Sequence, residues 1–579
     1  MKKMFAGMLM AVAMVFVSAC GGVDPPDHQA EPGVQQEAAV GTAPAQVDVP
    51  QPGRGIDYID WDEHVTFSWF MIHTPVNDFY TSYSDNPAVR YLNYRFNVTF
   101  DFEQPVTGTE SDALALMIGA RRFTDAIHLA PFGGNILQLY DDGIIIDIAQ
   151  WLDYMPNFRN LIENYPDVAR VAFNDDGRIL MMPLFNDVPE YPFAGLMYHH
   201  DILYAMTDGN IQFPSGNDVP TTIADWEYML PLFLEYFQAA GFADFAPLIL
   251  PVQGFIHFGA LINSFGAAPN LYVRNGVVNH GILEPEFFTY ISTMRDWFER
   301  GWIHQDFASR TGDMFFMPNP PLVFGGAAGI WYGLPMHLGD RMSMPEFGMN
   351  FYVKPIPSPM ADGITHKDML RRRPDRFGIG RHSAVSATNP DIGRFLAIMD
   401  FMFTEEGGRL LALGVNADQI PPGCDILERM GMPEGSWWFD DAGNVVLHPY
   451  TDIAGGHISL GAIMGNRLPG LSAQSDLLSQ RSPEMVHAHS QWSAHCYASE
   501  VFTVPDQLSF TVAESDTIAS TSPHITDLRD QNLVMFIMGT QPLNETTWEA
   551  FLDQLRGVGL MDYIAAHQAA YDRFMARGQ

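Results

Sequence analysis

The run Val65-Thr66-Phe67-Ser68-Trp69-Phe70-Met71 is dense in β-branched and aromatic residues and predicts a buried strand. Asn86 and Pro87 open a helical stretch, and Asn97 to Phe102 predicts a second strand. Asp112 to Arg121 is a short helical segment with Leu114, Met117 and Ile118 on one side. Asp125 to Ala130 predicts a third strand, which runs through Pro131-Phe132-Gly133-Gly134-Asn135 into a helix carrying Ile136, Leu137 and Tyr140. Strands alternating with helices in this way indicate a parallel α/β sheet. Ligands of such sheets bind beyond the carboxyl ends of the strands. Those ends carry Trp69, His73 and the Phe132-Gly133-Gly134 turn. Glycines there permit close backbone approach, although a Gly pair after a strand is most often a tight turn.

Helical periodicity returns late in the chain. Ile392, Phe395, Leu396, Met399 and Phe403 follow helical spacing, with Asn389 placed to cap the helix and Pro390 at its first position. Thr546 and Glu549 have capping-box spacing. A further helix is expected after Gly559, with Ile564, Tyr571, Phe574 and Met575 available for packing.

The N-terminus changes the picture from fold to location. Lys2 and Lys3 precede an apolar run from Met4 to Val17, too short to span a bilayer comfortably. It ends in Val17-Ser18-Ala19-Cys20, and a Cys after small residues resembles the lipobox of bacterial lipoproteins. That resemblance implies a signal peptide over 1–19 and acylation of Cys20. No other stretch is apolar for the length a membrane span needs. From residue 20 to 60 the chain is rich in Pro, Gly, Ala, Gln and Val without periodicity, and reads as a lipidated Cys followed by a flexible tether. The expected location is the extracytoplasmic face of the cell membrane, held by lipid alone.

Composition narrows the function. A chain of 579 residues exceeds one hydrophobic core, so two or more lobes are expected. With 47% hydrophobic and 17% charged residues it is not a disordered chain. Its net charge of −37 excludes a nucleic-acid binder, because phosphate contacts need cations.

A family resemblance then covers most of residues 62–579. Phe123 to Pro183, "FTDAIHLAPFGGNILQLYDDGIIIDIAQWL" through "DGRILMMP", resembles the first lobe and crossover of extracellular solute-binding proteins of bacterial ABC importers. Met197 to Leu203 resembles the family's strand leading into an Asp-led helix, and "VPTTIADWEYML" its Pro-Thr-Thr helix start. "FGAAPNLYVRNGVV", "EPEFFTYISTMRDWFERGWI" and "AAGIWYG" are similar to its long lipoprotein branch. So are "SATNPDIGRFLAIMDFMFTEEGGRLLALG" and the C-terminal "TTWEAFLDQLRGVGLMDYIAAHQAAYDRFMARG". The chain thus resembles solute-binding protein family 1, in its carbohydrate-associated lipoprotein branch.

That resemblance implies a type II periplasmic-binding-protein-like α/β fold, with two lobes, a ligand cleft and hinge crossovers. Lobe one is expected at 61–185 plus 377–420, and lobe two at 186–376 plus 421–579. The implied function is capture of an oligosaccharide or similar polar solute by a monomer and its delivery to ABC permease subunits. No cofactor is expected. Many members of the branch carry a calcium loop after the Pro-Thr-Thr helix. Here Leu234 to Pro247 offers only Glu235 and Asp244, too few carboxylates for calcium.

Sugar sites combine aromatic platforms with a few polar groups. Trp331 and Tyr332 lead the candidates, because in the family this strand ends at a ligand-stacking aromatic. Trp69, His73, Phe132, Gly133 and His257 follow, and Trp437 with Trp438 sits in a Gly- and Asp-rich loop that would fold over the opening. Most of the 73 aromatics must be core.

Two rival functions come from other residues. His487, His489, His495 and Cys496 are metal-ligand types, but their spacing matches no strong metal pattern. An outward-facing protein permits a Cys424–Cys496 disulfide, which spacing alone does not establish. The sequence has no GxSxG, HExxH, P-loop or CxxC motif. A glycan hydrolase would need two carboxylates flanking a cleft. The primary expectation is a solute-binding subunit rather than an enzyme, with a surface hydrolase or a metal-capture lipoprotein as alternatives.

Overall fold

The computed structural model of the chain describes residues 52–72, 82–188, 192, 194–257, 259–310, 320–334, 351–365, 383–448, 468–479, 483–494, 501–505 and 508–577. Cys20, most of the tether, His73, His495 and Cys496 lie outside the described residues.

The described strands are β1 (Val65–Phe70), β2 (Val98–Glu103), β3 (Ala126–His128), β4 (Leu184–Asn186), β5 (Gly195–His199), β6 (Ala246–Ile249), β7 (Leu271–Arg274), β8 (Val277–His280), β9 (Ala328–Gly333), β10 (Val353–Pro355), β11 (Ser383–Val385), β12 (Trp437–Phe439), β13 (Val445–Leu447), β14 (Gly470–Ser472) and β15 (Val501–Thr503). Two four-stranded sheets organise the fold, in the orders β11-β3-β1-β2 and β10-β5-β9-β6.

In the first sheet β1, β2 and β3 run parallel, with Val65 opposite Val98 and Trp69 opposite Ala126. The alternating pattern therefore predicts the sheet correctly. β11 closes the edge antiparallel to β3, setting Ser383 opposite His128. The helix before β2 is Pro87–Phe96, capped by the Asn86 side chain and ended by Asn97 at φ 50°. Asn97 is thus a left-handed helix cap rather than the first strand residue, a conformation Asn tolerates.

The second sheet is mixed: β9 runs antiparallel to β5 and parallel to β6, and β10 antiparallel to β5. Each sheet nucleates its own core. Phe67, Trp69, Phe100, Phe395 and Met399 belong to the first, and Leu196, Trp226, Phe233, Leu248 and Ile330 to the second. The molecule is accordingly a two-lobed α/β protein.

The chain leaves the first core at Leu184 and Phe185 and enters the second at Ala194. There β4 pairs in parallel with β14, and the Asp187 amide donates to Ser472 O at 3.1 Å. Past residue 420, a stretch that the sequence groups with lobe two, the structure packs Ile426, Leu427, Met430, Met432 and Leu468 into the first core. The helix Glu405–Leu413 explains this. Leu410 and Leu411 face the first core, while Ala412 and Leu413 meet Trp437 and Val445 of the β12–β13 hairpin.

Helix starts follow local chemistry. Thr222 and Asp225 form the capping box of Ile223–Ala240. Asp391 caps Ile392–Phe401 instead of Asn389, whose Oδ1 accepts the Asp391 amide at 2.9 Å. Asn544 and Thr547 form the box of Glu545–Gly557, two residues ahead of the Thr546/Glu549 spacing. No helix of the described residues is long and apolar enough to cross a membrane.

Candidate functional site

The aromatic favoured by sequence is a core residue. β9 lies between β5 and β6, with Trp331 opposite Met197 on one side and Ile249 on the other. Alternation along β9 sends Ile330 and Tyr332 to one face and Trp331 to the other, where it packs with Leu322, Val323, Phe351 and Trp492. Trp331 is 0% exposed. The glycines around it serve the strand. Gly326, at φ 73°, makes the turn into β9, and a Cβ on Gly329 would come within 2.6 Å of the Phe233 ring. The Tyr332 hydroxyl donates to Ala194 O at 3.0 Å, tying the ring to the start of β5.

Trp69 is likewise buried, with Phe100, Phe102 and Phe395 at ring distances of 5.9, 6.0 and 5.4 Å. Alternation along β1 turns this side chain into the first core. His257 follows the short helix Val252–Ile256 beyond the carboxyl end of β6 and is half-buried. It forms a closed polar cluster: Nε2 meets Asp530 Oδ2 at 2.8 Å and Nδ1 meets Arg529 Nη2 at 2.8 Å. Burial pushes the Asp530 carboxyl up, but the His257 hydrogen bond and the Arg529 charge outweigh it and hold the group below its ordinary value.

Phe132 has a different setting. The turn after β3 folds its ring over Gly134, where a Cβ would lie 2.6 Å from the Phe132 ring. That close approach is the physical requirement for glycine at 134. Gly133 beside it is exposed. Phe132 and Gly134 line a pocket of about 340 Å³. Phe173, Asn174 and Arg178 form a wall from the same lobe, and Ser509, Phe510 and Arg577 face them from the C-terminal segment. Asn135 bridges the two walls: its Nδ2 donates to Phe510 O at 3.2 Å.

The charges at the pocket are paired. Arg178 donates to Asp176 at 3.0 Å and lies 4.8 Å from the Tyr140 ring centroid. Arg577 contacts Asp175 at 2.7 Å. Burial draws the Arg577 guanidinium below its ordinary value, against the pull of Asp175. Aromatic surface beside neutralised polar groups suits a polyhydroxylated solute better than a bare ion. Of the sequence candidates among the described residues, Phe132 alone lines this pocket. Phe173 to Arg178 falls within the stretch that carries the family resemblance, with no site role attached to it. Its Asp-Asp-Gly turn was the available signal, whereas nothing local marks Arg577.

The other described candidates divide between packing and surface. Trp437 is buried and donates to Gly414 O at 3.1 Å, while Trp438 is exposed on the hairpin. His487 and His489 both lie on the helix Pro483–Ser493, where a separation of two turns them apart. His489 Nδ1 lies 2.8 Å from Pro192 O. Among the described residues no group of three His, Cys, Asp or Glu is placed to hold a metal ion. Asp244 is paired with His304 at 3.1 Å.

Neither a family model nor a curated protein sequence matches the chain. Solved structures do. A solute-binding protein of Bifidobacterium longum infantis, described as HMO-binding and ABC-transporter associated, aligns with a TM-score of 0.67 and 17% identity over 88% of this chain and 99% of its own. The Streptococcus pneumoniae ABC-transporter substrate-binding protein FusA, in complex with kestose, aligns at 0.63 and 16% identity over 88% and 99%. The alginate-binding protein AlgQ2 aligns at 0.62 and 17% identity over 88% and 98%. The chain therefore has, over nearly all its globular part, the two-lobed fold of extracellular solute-binding proteins of ABC transporters.

Proposed function

We propose that the chain is a non-enzymatic, extracytoplasmic solute-binding subunit of an ABC importer, which captures an oligosaccharide and delivers it to permease subunits. The observation that carries this reading is the two-lobed fold, shared along almost the full length of proteins whose descriptions name oligosaccharides. The pocket beside Phe132 adds support: its volume lies in the range of small-molecule sites, and its lining mixes aromatic rings with polar groups. Anchoring through an acylated Cys20 belongs to the same proposal, resting on the lipobox and the tether. Mass spectrometry of the mature N-terminus is expected to find a lipidated Cys20, and an unmodified Cys20 or cleavage elsewhere defeats that part.

The binding function is tested by a thermal-shift screen over neutral and acidic oligosaccharides. A ligand at 100 times its Kd stabilises the native state by about 2.7 kcal/mol, which moves the midpoint measurably. The ligand is expected to be recovered intact by chromatography. A screen without any shift overturns the reading, and a cleaved ligand replaces it with the hydrolase alternative.

A further inference from the structure

The two walls of the pocket belong to parts of the chain some 400 residues apart, and a charged cluster joins them at the pocket edge. On one side stands the turn 174–178. The Asn174 amide donates to Arg178 O at 2.8 Å, and Asn174 Oδ1 accepts the amides of Asp176 and Arg178 at 3.0 and 2.9 Å. These bonds fix the turn and so fix the direction of Asp175. On the other side is the C-terminal helix Leu560–Ala576, which packs on β8 and on the helix Val512–Met538. It carries Arg573, and Arg577 is its C-cap.

Both arginines converge on Asp175. Arg573 Nε reaches Asp175 Oδ2 at 2.9 Å, and Arg577 Nε reaches Oδ1 at 2.7 Å. Each arginine also has a partner on its own side. Arg573 Nη1 donates to Glu514 at 2.8 Å, and Arg577 Nη2 donates to Ser509 Oγ at 2.8 Å. The Arg573–Glu514 hydrogen bond raises the pKa of the first and lowers that of the second.

We infer that Asp175 is a positioning residue, a latch that holds the first lobe against the C-terminal helices and thereby sets the affinity of the pocket beside Phe132. The inference rests on the solute-binding reading. When the walls part, Arg573 keeps Glu514, Arg577 keeps Ser509, and Asp175 turns to water. Arg573 keeps a carboxylate, while Arg577, 4% exposed with the walls together, exchanges Asp175 for water as they part, so the latch biases an equilibrium instead of locking it. Charge-assisted bonds to one carboxylate place the ion-pair share of that bias on Asp175, beside the bonds to backbone oxygens from Asn135 to Phe510 O and from Arg577 to Arg170 O.

The test is solution scattering on the free protein, wild type beside Asp175→Asn, with circular dichroism to confirm folding. The variant is expected to show a larger radius of gyration. Asp553→Asn removes a 2.7 Å ion pair to Arg556 inside the helix Glu545–Gly557 and is expected to leave the radius unchanged. If Asp175→Asn does not fold, Arg573→Gln decides by the same measurement. An unchanged radius in the folded variant overturns the latch, as does equal expansion in Asp553→Asn. An oligosaccharide that shifts the wild-type midpoint is expected to bind Asp175→Asn about 5- to 150-fold more weakly, the usual span of such couplings. Because scattering needs no ligand, expansion without any binding ligand would sink the solute-binding reading and spare the latch. Normal closure and affinity in the variant would do the reverse.

Discussion

Trp492 lies directly over Gly195: a Cβ at position 195 would come within 2.3 Å of the indole ring. The same indole donates from Nε1 to Leu196 O at 2.8 Å. The helix Pro483–Ser493 is thereby seated on β5, and the face it buries carries Ala488, His489 and Trp492. This explains why His489 is a packing residue. Its ring meets Trp492 edge-on at 6.1 Å, with both held to the chain entering β5.

Gly195→Ala is therefore expected to destabilise the protein by about 1–3 kcal/mol through overpacking, a large cost for one methyl group. Trp492→Ala is expected to cost about 3–5 kcal/mol. Because the two residues touch, Gly195→Ala added to Trp492→Ala should cost less than the sum of the single changes. Urea denaturation of the three variants checks this, and strict additivity would show that the contact carries no energy.

Trp331→Ala separates core from site. With the ring buried in the second sheet, the change is expected to cost about 3–5 kcal/mol of stability. Any loss of ligand affinity should then follow from lost folding and vanish under conditions where the variant is fully native. Calorimetry beside chemical denaturation on the same protein makes the comparison. A stable variant that no longer binds would return Trp331 to the ligand site.

The contrast shows what the sequence carries. Strand and helix order in the first sheet was legible because β-branched runs and apolar periodicity are local signals, and β1 to β3 fall where they point. The face of a strand residue is also local in principle. Yet the resemblance drew attention to Trp331 by position, while the period of two along Ile330-Trp331-Tyr332 leaves both faces covered once β5 and β6 flank the strand. The pocket was half legible. The turn after β3 points locally to Phe132, which lines the pocket. Its opposite wall was not legible, because Phe510 and Arg577 reach it only through tertiary packing, across sequence separations that no spacing rule spans. The same reason hid the lobe assignment of the stretch after residue 420.

Acid stability should report on buried histidines. His199 stacks on Phe351 at 4.2 Å and its Nδ1 accepts the Ile202 amide, while His280 Nδ1 accepts the Ile282 amide. Burial lowers the first to about 4. Burial, with the Arg529 charge, lowers the second to about 3. Both rings are neutral in the folded protein. Above the ordinary value of 6.5 the unfolded chain is neutral there too, and the stability they permit is complete. Below it the unfolded chain takes up protons that the native state refuses, so stability falls as pH drops from 6.5 toward the folded values. Each ring contributes up to about 1.4 kcal/mol per pH unit in that window. Urea midpoints at about pH 7 and about pH 5.5 should differ, and His199→Asn, which keeps an acceptor for the helix amide, should flatten the slope. An unchanged slope in that variant would show that His199 is charged in the fold.

Phe132 is the residue on which the proposed site stands or falls. Its ring is half-buried, rests on Gly134, packs at the margin of the cluster around Leu129 and Leu139 and forms pocket wall, so truncation removes pocket surface and opens only the edge of a core. Phe132→Ala is expected to lower stability by less than about 1.5 kcal/mol, well short of a core truncation. It should weaken binding of the oligosaccharide found by thermal shift about tenfold or more, since each 1.4 kcal/mol of lost stacking is a factor of ten. Gly134→Ala supplies the independent check. The added methyl meets the ring at 2.6 Å and must displace it from its place in the pocket wall. Affinity is expected to fall in that variant even though no ligand-facing group has been removed. Both affinities are read by calorimetry on proteins whose folding is confirmed by denaturation. If Phe132→Ala and Gly134→Ala bind as tightly as the wild type, the pocket beside β3 is not where the solute sits.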